Sequence, residues 1–449
     1  MQNIITMELL AGVSDNGFSL DELVYELGRV IRNKGLPGIV AMILALVDEL
    51  LLRRHLEGRS WLGQACCERP VYQSLGFHSR RIRTSLGEVS FRWRRYQCQA
   101  CGRVRVPLRE FLGLEPHQSR TNELEQIVVE VVSEQSYRRS SQHLDTIGGI
   151  PVPKSTAHRW LVQSDSDELA RTEGKFASLL VDGTGYKRRP DASVGLDNKG
   201  QLRMAIGITP TGQVCPLGTW SGVGWEQIAR NLGAGLEKET KLAGLLVSDG
   251  ETGLAEALGR LTDDQQRCLW HLPHDLDDPM WRDGASKREY RSIQKKLAAL
   301  VRIELPAEDG EAVGQEDRER IEQQMGQAQQ GVVELVAQLK ARGYRRAARY
   351  VDLARSRLFG YLRFWLRHGI VNPKVTSFLE RLMREIGRRL KRIAFGWRPE
   401  NAAKMARLLL RRVTDPQQWA QYWKTKLRLQ GNVVFAFRGV HASPPTLGR

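Results

Sequence analysis

Residues 176–184 read Phe176-Ala177-Ser178-Leu179-Leu180-Val181-Asp182-Gly183-Thr184, and residues 243–250 read Ala243-Gly244-Leu245-Leu246-Val247-Ser248-Asp249-Gly250. Each is a short apolar run of the kind that forms a strand buried on both faces. Each ends on an aspartate followed by glycine. Asp-Gly is also an ordinary turn signal, so taken alone either acid reads as punctuation as readily as chemistry. A strand buried in a sheet has little reason to close on a charged group unless that group faces a cleft or a cation. Two carboxylates converging at one sheet edge repel, and a divalent metal removes the repulsion. Hard oxygen donors of this type suit Mg²⁺ or Mn²⁺.

Between and beyond these runs the pattern predicts a hairpin from Leu202–Thr209 and Gln213–Trp220 around Pro210-Thr211-Gly212. It predicts a helix over Trp225–Glu239 and a fifth, shorter strand at Arg267-Cys268-Leu269-Trp270. A third acid, Glu380, lies in the first turn of a helix whose apolar face is Leu379, Leu382, Met383, Ile386, Leu390 and Ile393. Ser377-x-x-Glu380 fits a capping box, and Arg384 stands at i+4 for an ion pair, so Glu380 too has a structural reading.

The order of these parts is strand with Asp, hairpin, helix, strand with Asp, later helix with Glu. With it the chain resembles the Mutator-type DDE transposases, including their bacterial insertion-sequence relatives. The matching residues are Val181-Asp182-Gly183-Thr184, Val247-Ser248-Asp249-Gly250 with Gly253-Leu254, and Gln266-Arg267-Cys268-Leu269-Trp270-His271. To these is added Leu379-Glu380-Arg381-Leu382-Met383-Arg384-Glu385-Ile386-Gly387-Arg388-Arg389, the most specific run, and the resemblance spans about residues 120–412. It implies an α/β catalytic core, an RNase H-like mixed sheet, interrupted by an all-α insertion. It implies that Asp182, Asp249 and Glu380 hold two Mg²⁺ (or Mn²⁺) ions, with Glu385 next in line should Glu380 be the wrong third acid. Cys268-x-x-His271 is a family mark near the active site; as an isolated pair it is half of a zinc site at best. The family usually carries Asn three residues before its Glu, where this chain has Ser377. The implied activity is cleavage at the ends of a mobile element and joining of the 3′-OH ends to target DNA. The alternatives are a catalytically silent or domesticated sequence-specific DNA-binding protein and an RNase H-like nuclease without strand transfer.

Farther out, Cys98-x-x-Cys101-Gly102 is good zinc grammar, with Cys66, Cys67 and His78 as candidates to complete the ligand set. Strand-like alternation through Arg81–Thr84 and Val89–Arg94 predicts a hairpin with Gly87 between, and residues 79–109 hold nine Arg and one acid. Such a hairpin suits a phosphate backbone. Residues 122–165 show helix-turn-helix spacing, and Lys154, Ser155, His158 and Arg159 fall where recognition side chains sit. Residues 341–412 hold 20 Lys/Arg against four Asp/Glu, and Arg345, Arg346, Arg384, Arg388, Arg389 and Arg392 are further DNA-contact candidates. Glu304 to Glu322 carries eight acids and reads as a solvated linker.

The whole chain has 449 residues, 41% apolar, with 68 Lys/Arg against 51 Asp/Glu and a net charge of +17. This excludes a disordered or collagen-like chain and predicts an anionic partner. Six cysteines are too few for a disulfide scaffold and point to a reducing compartment. Residues 19–56 read as two helices broken at Leu36-Pro37-Gly38. The apolar run Gly38–Leu52 is 15 residues, interrupted by Asp48 and Glu49. It is shorter than the ~20 residues a bilayer requires, so it reads as a buried or dimerising helix. No Gly-x-x-x-x-Gly-Lys loop occurs, so no nucleotide cofactor is expected. The expected organisation is a helical N-terminal region at 1–60, a candidate for oligomerisation, and an Arg-rich, zinc-ribbon-like DNA-contact module at 61–118. A helix-turn-helix at 119–170 follows, then the first part of the core at 171–275 and the helical insertion at 276–370. The last core helix and a basic C-terminal region fill 371–449. The expected partner is double-stranded DNA, terminal inverted repeats and target alike. The expected assembly is a homodimer or larger, in a bacterial cytoplasm and away from any membrane.

Overall fold

The two acid-bearing runs become neighbouring parallel strands. The computed structural model describes residues 19–56, 65–169, 174–190, 197–237, 240–306, 314–391 and 395–429. The chain divides into two units, residues 1–161 with 423–449 and residues 162–422.

In the first unit a 36-residue helical stretch, Leu20–His55, precedes a three-stranded antiparallel sheet of β1 (Tyr72–Thr84), β2 (Gly87–Cys98) and β3 (Val104–Arg105). The break expected at Leu36-Pro37-Gly38 is absent. The chain passes through a π-turn at Ile31–Gly35, where the Leu36 amide reaches back to the Ile31 carbonyl, and so accommodates Pro37 without ending the helix. This joined helix is long and apolar enough, by length and composition, to cross a bilayer. Its second half nevertheless packs on the sheet. Leu51 joins Ile82, Val89, Phe91, Trp93, Val106 and Leu108 in one core, and buried Asp48 pairs with Arg94 of β2 at 2.9 Å. Val89, Phe91 and Trp93 point inward while Ser90 and Arg92 point to solvent, the period of a half-buried strand. After a short helix, Pro107–Leu112, three helices follow, Asn122–Glu134, Tyr137–Thr146 and Lys154–Gln163. Thr121 and Ser136 cap the first two.

In the second unit a five-stranded mixed sheet has the order β6-β5-β4-β7-β8. Its strands are β4 (Phe176–Lys187), β5 (Lys199–Ile208), β6 (Val214–Ser221), β7 (Ala243–Ser248) and β8 (Thr262–Arg267). β4, β5 and β6 are antiparallel neighbours, whereas β7 and β8 run parallel to β4. One face packs Leu179, Val181 and Leu246 against Ile228 and Ala229 of helix Trp225–Gly233 and Ala257 and Leu258 of helix Leu254–Gly259. Leu245, which alternation turns the other way, meets helix Gly360–His368 at Gly360. Helix Ser377–Lys391 packs on β4 and helix Pro399–Thr414 on β6. Between β8 and Ser377 every described regular element is helical, the longest being Lys287–Val301 and Gln315–Ala341.

Several expected boundaries move. β4 does not end on Asp182 but continues to Lys187, because β5 goes on pairing with it beyond the point where β7 stops. The fifth strand lies at Thr262–Arg267, earlier than Arg267–Trp270. The helix from Trp225 stops at Gly233, before a Gly235 with φ of 89°. The acidic linker is shorter than expected: from Gln315 it is helix, with Glu316 and Asp317 in the first turn, where they complement the helix dipole.

The buried Gln266 amide ties β8 to helix Gly360–His368, donating to the Leu358 carbonyl (2.9 Å) while its oxygen accepts from the Tyr361 amide (3.1 Å). Here Gly360 leaves no room for a Cβ, which would collide with the Gln265 carbonyl oxygen. Gly360→Ala is expected to cost about 1–3 kcal/mol, read as a lower midpoint in chemical denaturation.

Candidate active site and metal centre

β4 and β7 pair in parallel with Val181 opposite Ser248, so the next residue on each, Asp182 and Asp249, emerges beside the other. Asp182 is only 6% exposed, and the Gly183 amide donates to its Oδ1 at 2.6 Å. Burial and then the charge of Asp249 push its carboxyl up to about 7, against a smaller lowering by the Gly183 amide and His271. Asp249 sits on a tight turn in which its Oδ1 accepts from the Glu251 amide (2.9 Å) and Gly250 takes φ of 85°. The Arg267 guanidinium packs over Gly250 and donates to the Tyr350 hydroxyl (2.8 Å).

Glu380 comes to this edge through a network centred on a residue the sequence did not single out. Thr376, fully buried, precedes helix Ser377–Lys391. Its amide and hydroxyl each donate to Cys268 Sγ at 3.4 Å, and its Oγ1 lies 3.3 Å from His271 Nδ1 and 3.4 Å from Glu380 Oε1. His271 Nδ1 is 4.0 Å from Glu380 Oε1. Burial pulls the His271 imidazole down, but its hydrogen bond to Cys268 and the charges of Cys268 and Asp182 prevail and hold it at about 9. Burial raises the Cys268 thiol, yet hydrogen bonds from His271 and Thr376 leave it below the usual thiol range. Ser377 is already helical and the Glu380 amide donates to the Thr376 carbonyl (3.0 Å), so the capping position expected at Ser377 falls one residue earlier. Glu385 is exposed and paired with Arg388. Another carboxylate, Glu251, also lies beside Gly183, held by Arg203 (2.6 Å) and Gln201 (3.2 Å). No spacing signal marks Thr376 or Glu251; both reach the site through tertiary contacts.

In the first unit the thiols of Cys66, Cys67, Cys98 and Cys101 gather with all four sulfurs within 4.8 Å of one another. Cys98 and Cys101 flank the β2–β3 turn, where Gly102 has φ of 72°, and Cys66-Cys67 precede β1. Cys67 lies 3.7 Å from Cys98, and Cys101 3.6 Å from Cys66. Desolvation raises Cys98, but the amides of Cys101, Ala100 and Val71 outweigh it and bring the thiol down to about 6; desolvation and its thiol neighbours push Cys67 up to about 12. The adjacent cysteines therefore both join the cluster. His78, exposed on β1, is outside it, which corrects its candidacy as a ligand.

Lys154, Ser155 and Arg159 are exposed, while His158 is half-buried with its ring against Tyr137. Trp160 and Leu161 are core. Arg345, Arg346, Arg384 and Arg388 are exposed, although Arg346 also donates to the Arg282 carbonyl (3.2 Å). Arg389 does not belong with them: it is buried, with its guanidinium 4.8 Å from the Trp397 ring, because it faces inward between Ile386 and Leu390. Arg392 lies outside the described residues.

A family described as "Transposase, Mutator family" matches residues 109–421, well over half the chain. A second, described as an uncharacterised protein family (UPF0236), matches residues 13–176. No curated protein matches the chain.

The Asp182 carboxyl supplies a test that requires no substrate. It keeps its proton to about pH 7 in the folded protein but ionises near 3.8 when unfolded. Its contribution to stability is therefore complete at low pH and is lost as the pH rises through about 7. Asp182→Asn removes that ionisation. In chelator-treated protein the variant is expected to exceed the wild type in stability at pH 8 by on the order of 1–3 kcal/mol, with the gap closing toward pH 4. A gap that does not change with pH in denaturant titrations would refute the raised carboxyl.

Proposed function

The chain belongs to the Mutator family of transposases, and we propose that it cuts DNA at the ends of a mobile element and joins the freed 3′-OH ends to target DNA. The observation that carries this reading is the paired register of Val181 and Ser248, with Asp182 and Asp249 side by side and Glu380 drawn in through Thr376 and His271. We read the mixed sheet, with its order β6-β5-β4-β7-β8, as an RNase H-like core, and the helices between β8 and Ser377 as its insertion.

The donor set fits divalent cations. Asp182 is a buried carboxyl whose neighbours include two further carboxylates, Asp249 and Glu380, each of which raises it. A cation of Mg²⁺ or Mn²⁺ type relieves that repulsion and meets hard oxygen ligands. Asp182, Asp249 and Glu380 would hold two such ions, which supply activation of a water or 3′-hydroxyl and neutralisation of the leaving oxygen. The chain's own part is to fix the carboxylates. Asp182 is held by the β-ladder and the Gly183 amide, Asp249 by its turn over Arg267, and Glu380 by Thr376. In the joining step the element's 3′-oxygen forms a bond to a target phosphorus as that phosphorus releases the target's own 3′-oxygen. One phosphodiester replaces another, and no high-energy cofactor is consumed.

DNA is held by sequence-independent charge and by a reader. Arg345, Arg346, Arg384 and Arg388 serve the backbone, and helix Lys154–Gln163 presents Lys154, Ser155 and Arg159 to a groove. The Cys66/Cys67/Cys98/Cys101 cluster is a structural zinc site stapling an Arg-rich ribbon, with the Cys98 thiol lowered by backbone amides around it. Two element ends require at least two active sites, so the working form is a homodimer or larger, acting where DNA lies in a bacterial cytoplasm.

With labelled DNA carrying the element's own ends and Mg²⁺ or Mn²⁺, the wild type is expected to nick and join. Glu380→Gln should bind the same DNA with unchanged affinity and lose at least ~1,000-fold in cleavage. Equal cleavage by both proteins rejects Glu380 as the third acid, and binding without cleavage by either leaves only the silent DNA-binding reading. Separately, metal analysis of the purified protein should find one zinc per chain, and Cys98→Ser should lose both the zinc and the protease resistance of residues 65–106. Full protease resistance in a zinc-free variant would refute the staple.

A further inference from the structure

Trp270 is the one residue of the Cys268–His271 segment that is turned out to solvent. Cys268 is fully buried and His271 mostly so, whereas Trp270 is 48% exposed. An indole is the largest apolar surface a chain can bury, and leaving half of it in water beside a buried polar network calls for a reason. Its surroundings are built. On one side the ring stacks on His274, centroids 4.6 Å apart and planes 18° apart. His274 is in turn oriented by Asp275, Nδ1 to Oδ1 2.9 Å. The indole also meets the His271 ring edge-to-face at 4.8 Å. His271 is the residue whose Nδ1 stands 4.0 Å from Glu380 Oε1. The indole is therefore braced by one imidazole, fixed in angle by a second, and one residue removed from the carboxylate cluster.

We infer that Trp270, backed by His274, is a stacking platform for an unpaired DNA base next to the phosphate at the carboxylate cluster. This rests on the reading of Asp182, Asp249 and Glu380 as the phosphoryl-transfer site. A phosphate held there places its neighbouring nucleotides within a few ångströms of the cluster, since successive phosphates on one strand are only about 3.4 Å apart along a duplex axis. Within a duplex those bases are stacked and paired and offer no free face. Once unpaired, any base offers a π-face to an indole, and such stacking does not depend on sequence. The platform thus selects for an opened or frayed end rather than for a base identity. An apolar peptide is a poorer occupant, because the chain's net charge of +17 favours a polyanion.

The test uses the full chain and element-end DNA with 2-aminopurine at the nucleotide flanking the cut. The probe is either unpaired or fully paired, and Ca²⁺ is present to permit binding without cleavage. Wild-type protein should quench the unpaired probe. Trp270→Ala should leave it bright and bind the unpaired DNA about 5- to 150-fold more weakly, with little change on the fully paired duplex. Trp270→Phe should recover most of the quenching, and His274→Ala should lose part of it while the indole remains. Equal quenching and affinity in Trp270→Ala and wild type would overturn the platform, as would an equal loss on paired and unpaired DNA, which marks a merely structural residue. Cleavage in Mg²⁺ is scored in parallel to separate the two ideas. A wild type that cuts with no Trp270 effect overturns the platform alone. A wild type that quenches through Trp270 yet never cuts retains the platform as a binding site and rejects the catalytic reading.

Discussion

Two carboxylates forced into one register are the constraint on which the rest of the second unit depends. Parallel pairing of β4 with β7 leaves no freedom over where Asp182 and Asp249 meet. One face of the sheet is otherwise packed in a core of mostly Leu, Val, Ala and Ile side chains that favour this arrangement whatever the acids do. The apolar core therefore supplies the free energy that holds like charges together, and burial of Asp182 makes that opposition acute. The neighbouring polar groups respond to it. Arg203 is committed to Glu251, Arg267 covers the Asp249 turn, and His271, its imidazole raised by Cys268 and Asp182, stands between Cys268 and the acids.

The same logic gives Cys268 and His271 a fastening role. Through Thr376 they fasten the end of β8 to the start of helix Ser377–Lys391, elements more than 100 residues apart in sequence. A helix dozens of residues downstream needs such a fastening if its first-turn carboxylate is to meet two strand-borne aspartates. The intervening helices are anchored as well, by Tyr350 on Arg267 and by Gln266 on Leu358 and Tyr361.

Much of this was legible in the sequence, because periodicity and polar punctuation are local properties. The two acids, both hairpins and the amphipathic helix bearing Glu380 could all be read from spacing. What escaped was set by partners far along the chain. Asp182 reads as a strand end because apolar residues stop there, yet β5 carries the strand to Lys187. Arg389 reads as surface charge, but its place on the inner face of the helix puts it on Trp397. Cys66-Cys67 departs from the usual two-residue spacer, and only the fold reveals that both thiols reach Cys98 and Cys101. Pro37 reads as a break, and a single π-turn absorbs it. Thr376 carries no motif at all.

The continuation of β4 past Asp182 also grades the three acids by stiffness. Asp182 is mid-strand, with ladder bonds to β5 on either side of it. Asp249 rides on a short turn, and Glu380 on the opening turn of a helix, where backbone fraying begins. Heating or mild denaturant will therefore separate the three carboxylates from the Glu380 side, through rupture of the Thr376–Cys268 contacts, while the sheet and its first aspartate are still intact. The cluster has a soft failure point: its carboxylates part before the sheet unfolds, and on cooling only one helix start has to re-dock rather than a sheet be rebuilt.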